Sequence, residues 1–200
     1  TIQSSISNDQ EFCSDTFITI QIGEPDLIFD ENFENNGSNL DWYFSGISDW
    51  YITSQSSSSG NNSFRSGVIN NNQESSLLID IEVPSIGTAE FKYRVSSEYS
   101  PSGNNFYDGL TFYMDGLEIE QFQTNQSGES PWINYSFNIN EGNHTLKWTY
   151  SKDGGGGSTD CSNTGCDDAA FIDDFKILAY SDNQFESGDI NLDNEVNILD

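Results

Sequence analysis

The sequence predicts an all-β fold, a two-sheet antiparallel jelly-roll sandwich, and three observations carry that prediction. Apolar and polar residues alternate with period two through many short runs, and Gly, Asn, Asp and Ser turn signals separate those runs. No stretch before residue 188 has a helical period. Short strands at such spacing bury one face each, which two sheets packed together satisfy.

Residues 1–15 are polar and aperiodic. Residues 16–22 alternate as an extra N-terminal strand, and Gly23-Glu24-Pro25 ends it. The segment 1–25 is thus either the last strand of a preceding domain or an arm that pairs with a sheet edge here or in a neighbour. The sandwich itself spans residues 26–180. Its strands are predicted at 27–33, 50–53, 63–69, 76–83, 88–96, 110–115, 117–123, 132–139, 144–151 and 169–179. The patterning is sharpest where Ala89, Phe91, Tyr93 and Val95 oppose Glu90, Lys92, Arg94 and Ser96, and where Ile133, Tyr135, Phe137 and Ile139 oppose Trp132, Asn134, Ser136 and Asn138. Asp115-Gly116 and Glu141-Gly142-Asn143 suit hairpin turns. Residues 54–62, almost wholly Ser, Asn and Gly, read as a solvated, mobile connection. Residues 181–187 form a polar linker.

The 33 Asp and Glu residues against 6 Lys and Arg give a formal net charge of −27, which excludes nucleic acid and anionic membrane as partners. That charge favours divalent cations or a saline setting. Aromatic residues at 14% argue against disorder as its meaning. No apolar run reaches the length of a membrane span, and no signal peptide is present. The chain starts without an initiator methionine and stops inside a motif, so it reads as a segment of a longer secreted protein. Cys161 and Cys166 suit a small loop-closing disulfide that staples the flexible, glycine-rich 153–168 loop in an oxidising compartment; Cys13 pairs upstream or stays free.

The final predicted strand contains Phe171-Ile172-Asp173-Asp174-Phe175-Lys176-Ile177. Strict alternation puts Asp173 with Phe171, Phe175 and Ile177, and Asp174 with Ile172, Lys176 and Leu178, so each face carries one carboxylate. A buried carboxylate needs a partner or a metal, and this chain has few cations. Nearer the end, residues 189–200 place oxygen-bearing side chains at positions one, three, five, nine and twelve, the spacing of an EF-hand-type calcium loop. The candidate ligands there are Asp189, Asn191, Asp193, Glu195, Asn197 and Asp200. Asn194 replaces the usual turn glycine and Asp200 the usual glutamate. With Gly188-Asp189-Ile190-Asn191-Leu192-Asp193 and Val196-Asn197, segment 188–200 looks like the first half of a dockerin.

The body of the chain resembles MAM-like members of the concanavalin A-like jelly-roll group. The resemblance rests on Asp30-Glu31-Asn32-Phe33-Glu34, Ser63-Phe64-Arg65-Ser66-Gly67, Phe91-Lys92-Tyr93-Arg94-Val95-Ser96, Leu110-Thr111-Phe112-Tyr113-Met114-Asp115-Gly116, His144-Thr145-Leu146-Lys147-Trp148 and Ala170-Phe171-Ile172-Asp173-Asp174-Phe175. The cysteine pattern of animal MAM domains is missing. The resemblance implies a structural Ca2+ shared by Glu34 and Asp174, with Asp30, Asn32 and Asp173 behind them; the alternative is that backbone N–H groups hold these carboxylates. A second calcium candidate is the loop containing Asp153, Asp160, Asp167 and Asp168.

No catalytic pair is evident. Glycosidases of this fold group carry Glu-x-Asp-x-Glu, but Leu78 stands where Leu78-Ile79-Asp80-Ile81-Glu82 would need its nucleophile, and one carboxylate cannot do two-carboxylate chemistry. Glu118-Ile119-Glu120 lacks the central Asp. His144, the only histidine, sits in a strand with no nucleophile elbow nearby. Trp148 belongs to the core, whereas Trp132 lies opposite the apolar face of its strand and is the candidate for stacking on a sugar. The reading is a non-catalytic, calcium-stabilised accessory or adhesion module of a larger secreted or cell-surface protein. Its alternatives are a carbohydrate-binding module and a filament subunit assembled by strand donation. Its partners are other domains of the same chain, glycans, or copies of itself.

Overall fold

A computed structural model describes residues 25–34, 40–124, 128–155 and 157–180. The expectations for residues 16–22, Cys13, the linker at 181–187 and the calcium loop at 189–200 fall outside the described residues. Among the described residues the strands are β1 (Asp26–Glu31), β2 (Tyr43–Gly46), β3 (Tyr51–Thr53), β4 (Ser63–Arg65), β5 (Glu74–Val83) and β6 (Gly87–Ser96). They continue as β7 (Gly109–Met114), β8 (Leu117–Phe122), β9 (Ile133–Ile139), β10 (Gly142–Ser151) and β11 (Ala169–Ala179), with one short helix, α1 (Cys161–Thr164), before β11.

The fold is an all-β sandwich of two antiparallel sheets, as the alternation predicts. One sheet has the order β3-β4-β11-β6-β9, with β1 also paired to β11; the other has the order β2-β5-β10-β7-β8. β2 is the strand the sequence reading missed. Its four residues are too few to show a period, and it is fixed instead by close approach to β5. Gly46, at φ +96°, brings its backbone so near the Glu74 carbonyl that an added Cβ would lie 2.4 Å from that oxygen.

Inward positions follow period two in most strands. Leu77, Ile79, Ile81 and Val83 of β5, Ala89, Phe91, Tyr93 and Val95 of β6, and Leu146, Trp148 and Tyr150 of β10 form the core, and most of the residues between them are exposed or half-buried. Phe91 lies at its centre, with the rings of Tyr93, Phe112, Phe122, Tyr135, Phe137 and Trp148 at centroid separations of 5.1–6.4 Å. A second aromatic group, Phe33, Trp42, Phe64 and Phe175, joins the first through Trp148.

β11 breaks the rule, and here the predicted alternation is corrected. Ala170 and Ile172 point into the core, but so do Phe175, Ile177 and Ala179. Three steps along β11, Asp173 to Lys176, match only two along β6, Lys92 to Glu90. The extra residue is a β-bulge, with Asp174 in the left-handed region at φ +49°. The bulge reverses the facing of every later residue. It falls where β4, paired with Phe171 and Ile172, gives way to β1, paired with Phe175 to Ala179.

The two kinds of position make a stability prediction. Phe91→Ala should cost about 3–5 kcal/mol in urea unfolding, because it opens a cavity among six rings. Leu117→Ser, at a residue 69% exposed, should change stability by less than about 0.5 kcal/mol.

Candidate carboxylate clasp and binding face

The bulge decides where the two aspartates go. They do not take opposite faces of the sandwich; both meet the loop at 54–62. Asp173 Oδ2 accepts from the backbone N–H groups of Ser58 (2.7 Å) and Ser59 (3.3 Å), and Asp174 Oδ1 accepts from the Ser59 hydroxyl at 2.6 Å. Lys92 donates to Asp174 Oδ2 at 3.0 Å. Glu34 lies just beyond β1, and its Oε1 accepts from the N–H groups of Asn61 and Asn62, both at 2.7 Å. The Glu34 carboxylate lies against Gly60, where a Cβ would come within 2.3–2.7 Å of it, at φ +57°. The 54–62 connection, predicted to be free and solvated, is thus pinned by carboxylates from the first and last strands.

The charges respond to these contacts. Backbone N–H groups of Asn62 and Asn61 hold the Glu34 carboxyl below the usual carboxylate range. Burial pushes Asp173 up to about 6, and its backbone donors offset only part of that. For Asp174 burial acts upward, but Ser59 and Lys92 outweigh it and the net shift is downward. Asp30 and Asn32 are exposed, and Asn32 Oδ1 accepts from the Glu34 N–H at 3.3 Å. The residues fit a calcium ion in part. Carboxylates from the neighbouring strand regions of β1 and β11 converge on one loop, yet the groups described facing them are N–H donors, a hydroxyl and an ammonium.

The second acidic set does not form one site. Asp160 caps α1 through the Ser162 N–H at 2.7 Å, and Cys161 is disulfide-bonded to Cys166 across the same turn. Asp167 pairs with Arg94 at 2.8 Å. Asp168 takes Tyr150 OH at 2.9 Å and the Lys152 ammonium. Asp153 leaves this group altogether and sits by Glu98 and Asp108, two residues the sequence reading did not select. One carboxylate oxygen from each of the three lies within 4.8 Å of the other two. Burial pushes Asp108 up to about 7. Their sequence separation, across three loops, carries no local signal.

Trp132 is half-buried. Its indole N–H donates to Ser56 Oγ at 3.2 Å, and its ring packs edge-on to Phe171 at 6.4 Å. Phe171 itself, fully buried, lies on the outer side of β11 between the Arg65 and Arg94 guanidiniums, at 5.8 and 5.1 Å. Exposed aromatic side chains occur on both sheets, Tyr51 of β3 on this one and Tyr43 of β2 on the other; the second sheet also adds the half-buried Tyr113 of β7. Across the outer face of the β2-β5-β10-β7-β8 sheet runs one row of paired residues: Tyr43 of β2, Leu78 of β5, Lys147 of β10, Tyr113 of β7 and Glu118 of β8. Lys147 sits 4.1 Å from the Tyr113 ring centroid. Beside the row, Asp80 Oδ1 accepts from Tyr43 OH at 3.0 Å and Thr145 Oγ1 at 2.6 Å. An open depression of about 440 Å3 adjoins it, lined by Asp80, Glu82, Asp115, His144 and Thr145 among others. His144 is spent there on structure, with Nδ1 at 2.8 Å from Asp115 Oδ2 and Nε2 at 3.0 Å from the Asn140 carbonyl.

No protein-family model and no curated protein matches the chain. Some solved structures are similar to it. The K1 cleaved adhesin domain of Lys-gingipain from Porphyromonas gingivalis matches with a TM-score of 0.50 at 14% identity, over 76% of this chain and 98% of that one. The CBM22-1 xylan-binding domain from Paenibacillus barcinonensis matches with a TM-score of 0.49 at 14% identity, over 80% and 99%. TmCBM61 in complex with β-1,4-galactotriose matches with a TM-score of 0.46 at 15% identity, over 74% and 94%. The likeness to the K1 domain is one of fold. Among the described residues, no helix is long and apolar enough to cross a membrane.

The clasp has a direct test at its tightest point. Gly60→Ala should destabilise the domain by about 1–3 kcal/mol in thermal or urea melts, because it adds both left-handed strain and a collision with Glu34. An unchanged melt would mean that Glu34 and the loop are not packed together in solution.

Proposed function

We propose that this domain is a non-catalytic binding module of a larger extracellular protein and that it takes a neutral glycan on the outer face of the β2-β5-β10-β7-β8 sheet. The observation that carries the reading is the row Tyr43–Leu78–Lys147–Tyr113, with Asp80 and Thr145 alongside. Tyrosine faces stack on the C–H faces of sugar rings, and carboxylates accept from sugar hydroxyls. The surrounding Asp80, Glu82, Asp115 and Glu118, in a chain of net charge −27, disfavour uronic or sulfated polymers. The reading also keeps a structural calcium ion at Glu34, Asp174 and Asp173, supported by their convergence on one loop. Such an ion would fasten the first strand to the last.

Calorimetric titration with neutral and with uronic soluble polysaccharides tests the glycan claim. Tyr43→Ala or Tyr113→Ala should weaken binding of the neutral polymer by about tenfold or more. Trp132→Ala should lower the melting temperature through lost packing on Phe171 and leave affinity unchanged. No heat with any neutral glycan up to about millimolar concentration would refute the reading. The ion at Glu34 and Asp174 is tested separately. Glu34→Gln/Asp174→Asn should lose part of the calcium-dependent rise in melting temperature, and an undiminished rise would remove calcium from this clasp.

A further inference from the structure

Glu98 follows β6, Asp108 precedes β7 and Asp153 follows β10, so strand ends from both sheets bring these three acids together. Glu98 is 6% exposed and Asp108 3% exposed. Each has one oxygen engaged by a described donor: Glu98 Oε1 by Thr159 Oγ1 at 2.8 Å and Asp108 Oδ1 by the Asp153 N–H at 2.9 Å. The Gly155 N–H occupies Asp153 Oδ1 at 2.6 Å. Glu98 Oε2, by contrast, is buried with no hydrogen-bond partner. A buried charged oxygen left alone costs several kcal/mol, so such atoms are rare without a missing partner. The nearest cation does not fill the role. Lys152 lies 4.0 Å from Asp108 Oδ2 and is drawn instead to Asp168.

We infer that Glu98, Asp108 and Asp153 bind a divalent cation of calcium size, at a site separate from the Glu34–Asp174 clasp. Calcium takes oxygen ligands at about 2.3–2.6 Å, so two oxygens on opposite sides of the ion are about 4.8 Å apart. Three carboxylate oxygens within 4.8 Å of one another therefore fit one calcium shell. Magnesium needs a tighter octahedron, at about 2.0–2.1 Å, and sheds water reluctantly. The cation relieves repulsion between two buried carboxylates and supplies the partner that Glu98 Oε2 lacks. It also ties the end of β6 in one sheet to β7 and β10 in the other. Asp153 opens the glycine-rich loop that Thr159 anchors on Glu98, so the ion holds that loop at its base. The inference stands on its own and does not depend on glycan binding.

The test is calorimetric titration of calcium chloride into the full chain after chelation, with two double variants in parallel. Glu98→Gln/Asp108→Asn should lose one calcium site or weaken it by on the order of a hundredfold or more. Glu34→Gln/Asp174→Asn should retain that site. Thermal melts give a second readout with a reversal of sign. In chelator, Glu98→Gln/Asp108→Asn should melt at or above the wild-type temperature, because the amides remove the repulsion; with calcium it should melt below it. A variant that binds calcium as the wild type does, or that melts lower in chelator, overturns the inference. Should the double variant fail to fold, Asp153→Asn at the rim must weaken the same site, and unaltered calcium binding overturns the inference equally. Magnesium binding as tight as calcium would contradict the assignment of ion size.

Discussion

One extra residue in β11 organises much of this molecule. Without the bulge at Asp173–Asp174, a single alternation would run through the strand, and Phe171 would share the core with Phe175 and Ile177. With it, Ile172 and Phe175 both enter the core, Phe171 turns to the outer side among two arginines and Trp132, and both aspartates meet the 54–62 loop. The break also lets one strand edge serve two partners, β4 ahead of the bulge and β1 after it. Bulges re-aim side chains in this way because they change the count of residues on one strand and not on its neighbour.

A chain so acidic has to place its few cations where burial makes charge costly. Lys92 sits on Asp174, Arg94 on Asp167 and Glu129, and Lys152 on Asp168. Backbone N–H groups do similar work for Asp173 and Glu34, and they come from a loop of small residues whose chain can turn its amides toward a carboxylate. The exposed acids of β5 and the Asp115 turn have water, and their negative potential shapes what the outer sheet face accepts. Among the described residues, Glu98 is a buried acid with one oxygen, Oε2, that no donor reaches.

Much of the sandwich was legible in the sequence. The run from Gly87 to Ser96 alternates without interruption, and each of its apolar residues is buried as the pattern requires. Trp148, assigned to the core from its neighbours Leu146 and Tyr150, is buried with them. The short β2 was not legible, because four residues carry no period. The bulge in β11 was hidden for a different reason. Its flanking residues are apolar on both parities, so a strand slipped by one residue reads the same. Asp173, Asp174 and Glu34 stood out as acids needing partners, but that Asp173 and Glu34 meet amides of the 54–62 loop, and Asp174 its Ser59 hydroxyl, depends on tertiary packing. Glu98 and Asp108 gave no signal at all. Each is a lone acid in an ordinary loop, and only the meeting of β6, β7 and β10 ends brings them together.

Glu34, just after β1, and Asp173 of β11 hold the 54–62 loop through its own amides. Residue-resolved hydrogen exchange in chelator measures this directly. The amides of Ser58, Asn61 and Asn62 should exchange far more slowly than those of an unstructured serine- and glycine-rich loop, and Asp173→Asn should speed exchange at Ser58 while leaving Asn61 and Asn62 protected by Glu34. Exchange of all three at unprotected rates in the wild-type protein would contradict the account.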